Sequence, residues 1–123
     1  MSTADARAHL QKADEFLHAA RSNFANGWHN AAASNSVSCG VNAKDAICLA
    51  LTGRSGKSDR HIDAVKELRR AGPVGAELAS TLSRLLGQKS KAQYEREDIS
   101  AVEAEKAVMW AQRMYEGATR ALT

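Results

Sequence analysis

Apolar residues return every three or four positions through most of this chain, a period that admits packed helices and little else. Leu10, Ala13, Leu17, Ala20 and Phe24 mark one face of a first helix, predicted over about residues 3–26 and stopped by Asn26-Gly27. Near the other end, Ala104, Ala107, Ala111, Met114, Ala118 and Leu122 repeat the pattern behind Ser100 and Glu103, which are spaced as a capping box. Alanine supplies much of the apolar content. Hydrophobic residues make up 44% of the chain, aromatic residues 5%, and there is a single proline, a balance that favours helices over sheet. A length of 123 residues suffices for one core. The expectation is therefore all-α: a single domain over residues 1–123, folded as an antiparallel helical bundle of four long helices plus one short helix.

The second helix, over about residues 28–51, is the unusual one. Ala33, Val37, Val41, Cys48 and Leu51 define one apolar side, and Ala32, Cys39, Ala46 and Leu49 define another, so it should be buried on both. Small residues, Gly40 among them, would let neighbouring helices come close. Between the two faces runs a polar row, Asn35, Ser38, Asn42 and Asp45, which must find hydrogen-bond partners or water. A third helix over about 59–71 carries Ile62, Val65 and Leu68. Gly72-Pro73 separates it from a fourth over about 74–91 with Leu78, Leu82 and Leu85.

The formal charge of +3 permits a nucleic-acid partner without requiring one. Cys39 and Cys48 lie nine positions apart on one helix, well beyond disulfide reach at about 1.5 Å rise per residue. Two unpaired thiols suit a reducing cytosol. With no apolar run of membrane-spanning length and no signal-peptide pattern, the chain is expected to be soluble and cytoplasmic.

The stretch "GRSGKSDRH", residues 53–61, bears two readings. Gly56-Lys57-Ser58 ends like a phosphate-binding P-loop, whose first glycine would have to stand at position 51. That position is Leu51, Gly53 leaves the loop two residues short, and a helix precedes it where a strand is needed, so this reading fails. Arg54 and His61, with six residues between them, have instead the spacing of an RNA-cutting pair.

The order of segments resembles the HEPN family, small helical bundles found mainly in prokaryotes. The resemblance runs from about Ala8 to Leu122 and is carried by "HLQKADEFLHAA", "GWHNAAASNSVSCGVNAKDAICLAL", "HIDAVKEL", "KSKAQYE" and "AVEAEKAVMWAQRMYEGATRAL". The segment "VNAKDAIC" looks like an actinobacterial-type branch. The resemblance implies a homodimer, often encoded beside a nucleotidyltransferase-like partner in a toxin–antitoxin or defence module. Some members are metal-independent ribonucleases with an Arg-x4–6-His motif, and others serve as binding or scaffold modules.

Arg54 and His61 are the catalytic candidates on that motif, with His61 moving the proton of the RNA 2′-hydroxyl and Arg54 steadying the phosphate charge. The pair departs from the family pattern, because Ser55 follows the arginine and the motif lies earlier than in family nucleases. His61 is expected to lean inward, with Asp45 as its partner. Lys89 and Tyr94 stand where related branches carry an Arg…Asp-Tyr signature, with Gln93 in place of the acid; a ring packed between helices is the simpler reading of Tyr94. In the binding version, Asn42 and Asp45 face His61, Lys89 and Tyr94 across a polar groove, and Arg54, Lys57 and Arg60 supply phosphate contacts at its mouth. Trp28, Trp110 and Tyr115 read as core or dimer-interface anchors. Three functions stay open: binding of nucleic acid or a nucleotidyltransferase-type partner without metal or cofactor, a ribonuclease, and a protein-interaction scaffold. None involves a membrane.

Overall fold

A computed structural model describes residues 2–56 and 60–123. Six helices occupy the described residues: α1 Ser2–Ala25, α2 His29–Thr52, α3 His61–Arg69, α4 Gly72–Leu86, α5 Lys89–Gln93 and α6 Ala101–Ala121. The expected helical bundle is present. The difference lies in the fourth helix, which does not run on to residue 91. It ends at Leu86, turns through Gly87 and Gln88, and resumes as the single-turn α5. The Gln88 amide donates to the Glu103 carbonyl at 3.2 Å, and Lys91 pairs with Glu103 at 3.1 Å, so the short helix turns toward the start of α6. The expected start of the third helix at Asp59 lies outside the described residues; among those described it begins at His61.

Helix α2 is the axle of the molecule and packs against each of the other five helices. Ala32, Ala33, Val37, Cys39, Ala43, Ala46, Ile47 and Cys48 are buried along it, so burial on two sides holds. Val41 and Leu51, assigned to an inner face, sit at its margin, 37% and 44% exposed. Gly40 explains how close α4 comes: a Cβ there would stand 2.7 Å from Leu85 Cδ1. The opposing inner residues are Leu17 of α1, Leu68 of α3, Leu82 and Leu85 of α4, and Met114 of α6. Ile62, expected to point inward beside Val65 and Leu68, is half exposed at the first turn of α3.

Two local devices set the ends of elements. Ser100 and Glu103 form both bonds of the capping box, which fixes where α6 starts. Before it, Asn30 at the start of α2 reaches the connector: its amide donates to Asp98 at 2.9 Å, and its carbonyl oxygen accepts the Ile99 N–H at 2.8 Å. No helix among the described residues is long and apolar enough to cross a membrane.

Candidate functional site

The polar row of α2 turns mostly toward α1. The Asn35 amide donates to Asn23 at 2.7 Å, and the Asn42 oxygen lies 2.9 Å from Nδ1 of His9. The same His9 nitrogen is 3.9 Å from Asp45. The histidine that faces Asp45 in an ion-pair geometry is therefore His9, not His61. His61 places Nε2 3.1 Å from the Ser83 hydroxyl of α4 and is exposed. It starts α3 on the side nearer α4, whereas Asp45 is already engaged by the loop that follows α2.

That engagement centres on Lys44, which is buried, with 3% of its surface exposed. Its ammonium donates to Asp45 at 3.2 Å and to the Ser55 hydroxyl at 2.9 Å, and it pairs with Glu67 of α3. Ser55 in turn donates to Asp45 at 2.6 Å. The Gly56 N–H reaches both carboxylate oxygens of Glu67, at 2.7 and 3.0 Å. The loop is thus tied to α2 through Ser55 and to α3 through Gly56. A buried ammonium needs such partners, because desolvation alone drives it toward the neutral form. Burial does push the Lys44 pKa down, but Glu67 and Asp45 outweigh it and the net shift is upward. Burial pushes Glu67 up, while Lys44, the Gly56 N–H and the field of Arg54 hold its carboxyl below the ordinary value.

Two clefts flank this knot and share Lys44, Gly56 and Ala64 as lining. The larger, about 600 Å³, adds Arg54, Lys66 and Arg70, with Glu67 and Asp63 as its carboxylates. The smaller, about 250 Å³, adds Arg60, His61 and Lys89, with Asp45 as its carboxylate. Among the described residues, cationic groups outnumber carboxylates in both.

Of the residues selected from the sequence, the smaller cleft brings together Asp45, Arg60, His61 and Lys89. Arg54 lines the larger one, so the candidate cutting pair opens onto different clefts. Asn42 belongs to the α1–α2 seam through His9. Tyr94 is 76% exposed at the end of α5, neither packed between helices nor lining either cleft. Lys57 lies outside the described residues. Trp28 is 63% exposed and is no core anchor, while Trp110 and Tyr115 pack partly buried against the core. The sequence reading passed over Lys44, Glu67, Lys66 and Arg70. A signal for Lys44 was available: it is a lysine amid Ala43, Ala46 and Ile47 on a helix expected to be buried, which demands a counter-charge.

The two cysteines are buried inside the bundle and unpaired with each other. Burial pushes the Cys39 thiol up to about 12 and the Cys48 thiol up to about 11, far from thiolate reactivity at neutral pH. No group of three or more His, Cys, Asp or Glu side chains gathers as a metal-binding set among those residues. No curated protein matches the chain. The family model of the HEPN domain matches residues 6–120, nearly its full length. With the helix order and the α2-centred packing described above, that match shows that the chain belongs to the HEPN domain family.

Proposed function

We propose that this chain binds single-stranded nucleic acid, RNA in the first place, through the phosphates that its two clefts receive. One observation carries the reading: Arg54, Lys66 and Arg70 line one cleft and Arg60, His61 and Lys89 the other, on either side of a shared lysine-centred wall. Neighbouring cationic clefts suit a charged backbone that passes from one to the next. The family's association with nucleic acids and with toxin–antitoxin modules supports the same direction. On this reading the chain is one cytoplasmic domain that works as a homodimer, alongside a nucleotidyltransferase-type protein in a toxin–antitoxin or defence module.

Arg54 and His61 line adjoining clefts rather than a common one, which weighs against a ribonuclease built from this pair within one chain, because both groups would have to meet one phosphate. A pair completed across a dimer remains the enzymatic alternative.

Binding of a labelled single-stranded RNA, followed by fluorescence anisotropy across a salt series, tests the proposal. Affinity should fall with rising salt, and Lys89→Ala or Arg70→Ala should each lower the log–log slope by about 0.7, one phosphate contact on a single strand. Salt-independent binding, or slopes unchanged by both substitutions, would remove the reading. Cleavage of the RNA by wild type that is abolished in His61→Ala with helicity intact would move the assignment to the enzyme.

A further inference from the structure

The larger cleft already holds an anion of the chain's own. The Glu67 carboxylate takes the Gly56 N–H on both oxygens and the Lys44 ammonium besides, with the Arg54 charge acting on it from the same cleft. Lys66 and Arg70 complete the cationic lining. An ammonium, a backbone N–H and guanidinium groups make up a donor set well matched to phosphate. Two further features make the carboxylate displaceable. Its side chain is 32% exposed, and it borders an open cleft of about 600 Å³ into which it can swing. Lys44 would not be stranded by its departure, since Asp45 and Ser55 still hold the ammonium.

We propose that Glu67 stands in for a terminal phosphate of RNA, and that a phosphomonoester displaces it from Lys44, Gly56 and Arg54. This deepens the nucleic-acid reading and rests on it. The preference for an end over an internal phosphate follows from competition. Glu67 is tethered beside its donors, so an incoming group faces a high effective concentration of a monoanion. An internal phosphodiester brings the same single charge and gains nothing in the exchange. A phosphomonoester carries a charge of about −1.5 to −2 at neutral pH and three acceptor oxygens, enough to favour the exchange.

The test compares one short RNA with a 5′-phosphate, a 3′-phosphate or hydroxyls at both ends, on the full chain. Wild type should bind one of the phosphorylated forms about tenfold more tightly than the hydroxyl form, a difference of about 1.4 kcal/mol. Arg54→Ala, an exposed change that spares the core, should erase that difference, and hydroxyl-ended RNA should lose no more than the single phosphate contact that Arg54 makes, a drop of about 0.7 in the log–log salt slope. Glu67→Gln, which removes the competing charge and keeps the shape, should tighten binding of inorganic phosphate. Equal affinity for all three RNAs in wild type, or a preference that survives Arg54→Ala, overturns the proposal. If end preference is absent while Lys89→Ala still reduces the salt slope, the inference fails and nucleic-acid binding stands. If no RNA binds at all, the nucleic-acid reading fails, and inorganic phosphate decides the site: tighter binding by Glu67→Gln upholds it, and unchanged or weaker binding sinks it.

Discussion

Lys44 concentrates the chemistry of this molecule at one position. A lysine side chain is seldom buried unless it is paired, and here it has two carboxylates and a hydroxyl. Its link to Glu67 makes loop stability depend on pH in a defined direction. Because the Glu67 carboxyl is held below its ordinary 4.5, its contribution is complete above that pH and is lost as pH falls through the folded-state value. Lys44, held above its ordinary 10.5, contributes fully below that pH and loses its contribution as pH rises through its folded-state value. Between those limits the knot is fully charged. The melting temperature of wild type should therefore exceed that of Glu67→Gln at pH 7, and the gap should close as the medium is acidified below about pH 4.5. A gap that persists unchanged at pH 3 would mean that the carboxylate charge is not what holds the loop. The residues around position 44 signal that Lys44 needs a counter-charge, but not which carboxylate supplies it. Glu67 lies 23 positions away, and side-chain partners at such separation leave no local periodicity to read.

At the scale of elements, the readable and unreadable parts divide cleanly. Apolar spacing located α1, α2 and α6 within one or two residues, because each repeats its pattern over several turns. The α6 start was readable to the residue, since the capping box is a three-residue interval that needs no distant partner. Ser100→Ala should cost about 1 kcal/mol in urea unfolding, with the loss confined to stability and not to helix content at rest. The break between α4 and α5 escaped because Gly87 is a weak stop on its own, and the turn is secured by Gln88 and Lys91 reaching α6. Close approach of α3 and α4 was also hidden. A Cβ at Gly75 would lie 2.2 Å from the Leu68 carbonyl oxygen, which is backbone and cannot step aside. Gly75→Ala should therefore destabilise the fold by about 1–3 kcal/mol of overpacking, of which improved helix propensity returns at most about 1 kcal/mol. A variant as stable as wild type in chemical denaturation would show that α3 and α4 can part without penalty.

For the whole molecule, the fold was the legible part and the site the illegible one, for a single physical reason. A bundle is specified by which positions are apolar, and that information is repeated along every helix. The site is specified by which polar groups meet, and each meeting occurs once. His61 illustrates the difference. Its spacing with Val65 and Leu68 predicted an inward lean toward Asp45, yet the start of α3 presents it to Ser83, and His9 from the far end of the chain takes the place beside Asp45. The smaller cleft still collects Asp45, Arg60, His61 and Lys89 along its lining, although the expected His61–Asp45 pairing is replaced by His61 with Ser83 and His9 with Asp45.

The Asn30 clamp has a consequence for motion. Connector amides ordinarily exchange their protons with solvent quickly, because a few residues can open without disturbing the rest. The Ile99 N–H is held instead by a side chain from the start of α2, 69 positions away in sequence, and Ile99 itself is 1% exposed. Releasing that proton requires α2 and the α6 entrance to separate. In deuterium exchange followed by NMR, the Ile99 amide should be protected like the bundle interior, far slower than those of Arg96 or Glu97. Asn30→Ala should return it to the rate of its neighbours while protection in the middle of α2 is kept. One asparagine thus makes a stretch of loop report on the opening of the entire bundle.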